Sequence, residues 1–342
     1  ANGVRDGDEV GINGVTVELV DSTTGLVVDA AITRSIDFGG DGFIDAATER
    51  GQYVFDAVIQ GDYEVRQVVP VDWRQTSPAR PRAFAVQADG VIVEFDPENG
   101  SILNSFPLPA AIQTAGYQGL AVGPESLFFV DAGDLLTATV WELDIDTGAV
   151  IDSDTLGFNP IYVIKGAAYL DGELFIQYMP DQIAVWDPAT DSLVRTLTVA
   201  GADLAGGLTA AADLGALFAC NTAGEVLAID PATGAVLNTF TPGVGTLDGG
   251  LAYVDGELLA MSGAAGGITH RIDPATGAVL GNLLVGPGTG SIVGLGGDGA
   301  TVPVPLDYAV ELGPDEVVAG LDFGNLAPAV TGDLNGDGVV DA

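Results

Sequence analysis

The chain is poor in the residues from which most enzymes and disulfide scaffolds are built: one cysteine, one histidine and one lysine in 342 residues. The single cysteine, Cys220, excludes an internal disulfide, and its setting in Leu217-Phe-Ala-Cys220 marks a buried structural thiol rather than a reactive one. The single histidine, His270, argues against a His-based metal site, a Ser-His-Asp triad or a Cys-His pair, and its place in Ile268-Thr-His-Arg-Ile272 suits a surface or packing role. No run approaches the ~20 apolar residues of a membrane span, and no signal peptide begins the chain, so it reads as a mature or excised soluble segment. Basic groups are scarce too: 10 against 48 acidic, a net charge of -38. Such a field repels phosphate backbones and anionic lipid, which argues against nucleic acid and membrane insertion and in favour of divalent cations or salty surroundings. What is plentiful is apolar content, 47% with 17% charged residues, enough for two domains with real cores.

Five near-copies of one phrase punctuate the chain: Asp96-Pro-Glu-Asn-Gly100, Asp144-Ile-Asp-Thr-Gly148, Asp187-Pro-Ala-Thr-Asp191, Asp230-Pro-Ala-Thr-Gly234 and Asp273-Pro-Ala-Thr-Gly277. Their leading aspartates lie 48, 43, 43 and 43 residues apart, and a fixed period of that size signals a repeat fold. Each phrase separates two apolar runs, as Glu225–Ile229 and Ala235–Phe240 do, which predicts strand, tight turn and returning strand. Two further apolar runs complete each period, for example Gly207–Ala211 with Ala216–Cys220, so each repeat holds four strands, the content of a β-propeller blade. The count closes at five if the first repeat, from Ala83–Gln87, borrows its innermost strand from Ser291–Leu295, which also removes a free edge. A five-bladed β-propeller is therefore expected over residues 81-303. The repeats resemble those of bacterial extracellular propellers built on Asp-Pro-x-Thr-Gly turns, a likeness that implies fold and leaves the ligand open.

Outside that span the pattern changes. Gly11–Asp21, Gly51–Phe55, Gly61–Val65 and Val71–Pro78 alternate apolar and polar residues between Gly and Asp turns, the mark of an antiparallel β-sandwich. Their order resembles the B-type repeat of serine-aspartate adhesins, a relative of the collagen-adhesin B domain that stacks into stalks on bacterial surfaces. In that family the Trp-x-Gln-Thr-x-Pro segment, here Trp73–Pro78, is followed closely by a closing strand ending in Asp-Phe-Gly-Asn. Here Asp322-Phe-Gly-Asn325 follows Tyr308–Val318 more than 200 residues later. The resemblance thus implies an all-β chain in which the propeller is inserted into a split sandwich, residues 1-80 and 304-328, with 329-342 beyond it. Insertion at an exposed loop is tolerated when the inserted domain's ends lie together. Stalk domains of this type often carry a Lys–Asn isopeptide bond, which the absence of lysine from both sandwich segments excludes.

Bound calcium is the expected substitute for covalent ties. Asp333-Leu-Asn-Gly-Asp-Gly-Val-Val-Asp341 places oxygen donors Asp333, Asn335, Asp337 and Asp341 at positions 1, 3, 5 and 9 of an EF-hand-type loop, with the Val339 carbonyl at 7. The segment resembles the opening of a type I dockerin repeat. Asn2, Asp6 and Glu9 fit positions 5, 9 and 12 of the same loop, so the chain reads as one unit of a longer array. An internal loop offers Asp37, Asp41, Asp45 and Glu49 with the Phe43 carbonyl, although Gly39 at position 3 supplies no side chain and Glu49 falls one place late.

Carboxylates at blade-entry loops, among them Asp131, Asp181, Asp203 and Asp248, could furnish the pair a glycosidase needs, yet a chain this acidic supplies several by chance. Tyr117, Gln118, Asn159, Tyr162 and Tyr178, with the lone cation Lys165, should gather on one face of the ring, a mixture suited to glycan or peptide recognition. Trp141 and Trp186 are read as equivalent third-strand residues two blades apart that pack between blades. The expectation is a non-catalytic bacterial protein, secreted or at the cell surface, that is stabilised by calcium. Its propeller would meet an extracellular glycan or protein and its sandwich the neighbouring domains. A carbohydrate-active enzyme and a plain structural spacer are the alternatives.

Overall fold

In the computed structural model of the chain every regular element among the described residues is a β-strand. The described residues are 10–46, 48–70, 73–77, 79–110, 112, 119–124, 126–131, 138–156, 166–247, 249–262, 268–286, 292–299, 304–305, 307–314 and 316–326. The chain divides into two units, one made of Ala1–Arg80 with Pro303–Ala342 and the other of Pro81–Val302.

The first unit opens with β1 (Thr16–Asp21), β2 (Val27–Ile32), β3 (Gly61–Val68), β4 (Arg74–Ser77) and β5 (Ala79–Arg80). Alternation in β1 and β3 sends Val17, Leu19, Tyr63 and Val65 to one face, where they form an apolar cluster, while Thr16, Glu18 and Glu64 stay partly exposed. Sequence alternation did not point to β2, which is exposed along nearly its whole length and pairs with β1 from Thr16↔Ile32 onward. Conversely, the expected strand at Gly51–Phe55 is reduced to an isolated bridge, Arg34↔Gln52. Tyr53 and Phe55 serve as packing residues instead, with rings 5.7 Å apart.

Among its described residues the second unit contains five four-stranded antiparallel sheets. It begins with β6 (Ala83–Gln87), β7 (Val91–Phe95) and β8 (Ile102–Pro107). Next come β9 (Gly119–Val122), β10 (Ser126–Asp131), β11 (Thr139–Asp144) and β12 (Val150–Thr155), followed by β13 (Gly166–Leu170), β14 (Glu173–Met179), β15 (Gln182–Asp187) and β16 (Ser192–Thr198). The fourth sheet is β17 (Leu204–Ala211), β18 (Ala216–Asn221), β19 (Val226–Ile229) and β20 (Val236–Phe240), and the fifth β21 (Leu251–Val254), β22 (Glu257–Met261), β23 (Ile268–Ile272) and β24 (Val279–Leu284). A last strand, β25 (Ile292–Gly297), pairs with β6 and so supplies the first strand of the sheet begun at the other end of the unit.

The first strands of the five sheets touch in closed cyclic order, β9 to β13 to β17 to β21 to β25 and back to β9. Glycine makes that approach possible. A Cβ on Gly119 would strike Ala167, on Gly166 the backbone of Leu208, on Gly207 Leu251, on Gly250 the backbone of Leu295 and on Gly296 Leu120. The first and second strands are buried on both faces, which is why they read as continuous apolar runs rather than alternating ones. The fourth strands are edges, and a register shift interrupts each third-to-fourth pairing one step from the turn. Such bulges twist an exposed edge away from further pairing.

After the second unit the chain returns to the first. There β26 (Val304–Pro305) pairs with β5, β27 (Tyr308–Leu312) with β3, and β28 (Gly324–Leu326) with β4. The order of the main sheet is thus β2-β1-β3-β27. Two tyrosine hydroxyls fasten the returning segment, Tyr53 donating to the Leu321 carbonyl at 2.8 Å and Tyr308 to the Asp322 carbonyl at 2.6 Å, with Phe323 stacked edge-on against Tyr308.

Candidate functional sites

Each repeated phrase folds as an Asx turn because its aspartate accepts from the backbone it has just turned. In Asp230–Gly234 the Asp230 Oδ1 takes the Ala232 and Thr233 amides at 2.9 and 2.8 Å and the Thr233 hydroxyl at 3.0 Å. The Gly234 amide meanwhile donates to the Asp230 carbonyl, and Gly234 holds φ 77°. These bonds hold the carboxyls of Asp144, Asp230 and Asp273 below the ordinary value. A sixth copy, Asp21-Ser-Thr-Thr-Gly25, which stands outside the repeat period and was not recognised in the sequence, closes β1 to β2 in the first unit. Asp21 accepts from the Thr24 amide and hydroxyl at 2.7 and 2.8 Å, and Gly25 holds φ 68°.

The fifth residue of each turn in the second unit packs on the outer strand of the preceding sheet: Gly148 on Phe106, Gly234 on Leu197 and Thr198, Gly277 on Phe240, and Gly100 on Leu284. In the third turn that residue is Asp191, forced to φ 50°. Its carboxylate meets Asp152 and Asp154 of β12, the three offering ligand oxygens all within 4.8 Å of one another. Burial, the bond with Asp191 and the charges of Asp191 and Asp152 raise the Asp154 pKa above its usual value. Three carboxylates offer the oxygen donors that a hard cation takes.

The internal acidic loop of the first unit is built differently. Asp37 accepts from the Gly40 and Gly42 amides, Asp41 from Phe43 at 2.9 Å, and Asp45 from Thr48 at 3.2 Å. Buried Glu49 spans the loop, its two oxygens taking the Gly39 and Asp45 amides, each at 2.9 Å. Asp37, Asp41 and Glu49 converge on Gly39, where a Cβ would lie 3.6 to 3.9 Å from all three. The bond from Gly42, at position 6, to Asp37, at position 1, pulls the loop into a tight turn around its acids. The donor set is entirely oxygen and fits calcium in kind, although these carboxylates do not close on one another as those of Asp152, Asp154 and Asp191 do.

Of the other expected site residues, Asn2, Asp6, Glu9, Tyr117, Gln118, Asn159, Tyr162, Lys165, Asp333, Asn335, Asp337, Val339 and Asp341 lie outside the described residues. Tyr178 is on β14, half-buried against an apolar cluster, its hydroxyl 2.6 Å from Gln182 Oε1. Asp131 is buried at the end of β10, and Asp203 accepts from the Thr222 hydroxyl at 2.6 Å. Cys220 is fully buried, and His270 Nδ1 lies 2.8 Å from Asn282 Oδ1. Trp141 and Trp186 pack in separate inter-sheet clusters, but they stand on neighbouring sheets and at different distances from their turns, which corrects the expected equivalence.

Among the described residues of the second unit, three arginines tie sheet to sheet or strand to strand. Arg82 donates to Glu94 through both Nε and Nη2 at 3.0 Å, and reaches Asp146 at 2.8 Å in the turn of the next sheet. Burial opposes its charge, but the bonds to Glu94 and Asp146 outweigh that and raise its pKa. Arg195 pairs with Glu173 and touches the Pro231 carbonyl of the following turn, while Arg271 pairs with Glu257.

Residues 58–279, more than half of the chain, match the family described as outer membrane protein assembly factor BamB. The chain belongs to that family. Residues 1–97 match the SdrD B-like domain. No curated protein matches the chain. Among solved structures, a glutaminyl cyclase of Myxococcus xanthus is similar at 16% identity and a TM-score of 0.41, covering 60% of this chain and 78% of its own. A Bacteroides caccae protein of unknown function shares 13% identity with a TM-score of 0.43, covering 64% of this chain and 99% of its own. The RRP9 WD40 repeats share 14% with a TM-score of 0.39, covering 63% of this chain and 67% of their own.

Proposed function

We propose that the chain is a non-catalytic unit of a bacterial extracellular or cell-surface protein, in which a five-bladed propeller inserted into a split β-sandwich presents a rigid face to a glycan or protein ligand. The observation that carries this reading is the pairing of β3 with β27 on either side of a 222-residue unit whose own last strand returns to its first sheet. A domain held by two linkers has less freedom than one held by a single tether, which favours display of a surface. The SdrD B-like match supports the surface setting. Calcium bound by Asp37, Asp41, Asp45 and Glu49, with the Phe43 carbonyl, would neutralise the loop's charge and stiffen the sandwich. The terminal sets, Asn2, Asp6 and Glu9 with Asp333, Asn335, Asp337, Val339 and Asp341, would do the same at the junctions with neighbouring domains.

The test is a panel of polysaccharides and matrix proteins incubated with the purified chain and calcium, scoring retention and product release separately. Retention without release is the expected result. Release would establish an enzyme, and neither would leave a structural spacer.

A further inference from the structure

Tension along this chain meets the first unit before the second, because the ladder between β3 and β27 bridges everything between them. Val65 is the direct partner of Tyr308, and Gly61 of Leu312. The pairing of β5 with β26 closes the same loop closer to its neck, and that of β4 with β28 ties the segment leading into the loop to the segment beyond β27. The second unit, Pro81–Val302, is contained within that closed loop.

The direction of the strands decides how the ladder is loaded. Both β1 and β27 run antiparallel to β3 and flank it, so they run the same way. A pull on the chain before Thr16 draws β1 toward its start, and a pull on the chain after Leu326 loads the short β4/β28 pairing first and, once that has parted, draws β27 toward its end. Those are opposite ends of one sheet, so the ladders on either side of β3 are sheared with their hydrogen bonds sharing the load rather than peeled bond by bond. Slippage would also drag Val17, Leu19, Tyr63 and Val65 across their packed neighbours, since a shift by one residue turns buried side chains outward.

We infer that the first unit is a mechanical bypass. It carries tension past the second unit, which stays folded and able to bind until the β3/β27 ladder has sheared. This rests on the split-sandwich reading and is independent of which ligand the second unit takes.

The experiment holds the full chain by its two ends in a force spectrometer. The second unit accounts for on the order of 800 Å of contour at ~3.6 Å per residue. The expected trace shows the first unit opening at the highest force, with release of that length following at once because the second unit then bears a load it was shielded from. A second unit that needs a higher force than the first event would overturn the bypass while leaving the split sandwich standing. Glu64 and Ala309 are ladder partners toward the solvent side, close enough to cross-link as Glu64→Cys with Ala309→Cys. Oxidised, this variant should lose the long release entirely and regain it on reduction. A long release from the oxidised chain would overturn the pairing, and with it the split-sandwich reading itself.

Discussion

Arg82 shows how much one side chain can hold in a protein with few cations. Its guanidinium is buried, paired with an equally buried Glu94, and bonded to the next sheet's turn at Asp146. Replacing one partner of a buried pair strands the other, so Arg82→Met should cost on the order of 3–5 kcal/mol in urea unfolding, and Arg82→Met with Glu94→Leu should recover part of it. Asp191 presents the opposite case, a residue whose removal should help. Asp191→Gly relieves a positive φ and withdraws one charge from Asp152 and Asp154, so the melting temperature in chelator should rise. The pH dependence has a definite sign. Asp154 is raised, so its folded form binds a proton more readily than the unfolded chain does, and its contribution worsens as pH climbs from about 3.8 through the raised value. Asp144, Asp230 and Asp273 are lowered, so their contribution is complete above that ordinary value and lost as pH falls through the folded one. Stability measured from pH 3 to 7 should therefore rise at first with pH in both chains, and the later decline should be smaller in Asp191→Gly. A decline of equal size in both would show that the three carboxylates do not interact.

At the scale of elements, the glycines separate two kinds of position that look alike in sequence. Gly166 sits where β13 meets β17, and a Cβ there would collide with the Leu208 backbone, so Gly166→Ala should cost about 1–3 kcal/mol. Gly281 on β24 has open space and an ordinary backbone, so Gly281→Ala should be neutral or stabilising by roughly 0.5 kcal/mol. Chemical denaturation of the pair, read at the same wavelength, checks both. The repeat was legible because the Asp-Pro-Ala-Thr-Gly turn is local chemistry: the aspartate, threonine and glycine that make its bonds lie within five residues. The apolar runs of the first and second strands were legible for the same reason, and so was the return of the last strand, since the first repeat was one strand short. Burial of the outer strands was not. Val236-Leu237 and Val279-Leu280 are apolar yet exposed, because a fourth strand is paired along one edge only. Exposed β2 escaped notice because no alternation marks a strand that buries neither face, and Gly51–Phe55 looked like a strand because its aromatics pack without a ladder. Asp191 was visible as a departure from the phrase, yet its meeting with Asp152 and Asp154 depends on which strand lies beside that turn, which only the fold decides.

At the scale of the whole molecule, charge is the dominant tension. A net charge of -38 opposes compaction through self-repulsion, and monovalent salt screens it, so the melting temperature should climb with sodium chloride. Screening is indifferent to which cation supplies it, whereas coordination is not. If the loop from Asp37 to Glu49 binds calcium, millimolar calcium should raise the melting temperature further at matched ionic strength, following the logarithmic gain of a ligand that binds only the folded state. Asp37→Asn should abolish that extra gain while leaving the sodium chloride slope unchanged, because a single charge among so many barely alters the screened field. Asp191→Gly offers the complementary control in the second unit: if the calcium increment survives Asp37→Asn and is lost in Asp191→Gly, the cation belongs to the carboxylates of β12 and the third turn. An increment that survives both substitutions together would mean that calcium acts on this protein only as one more screening ion or through acids other than these.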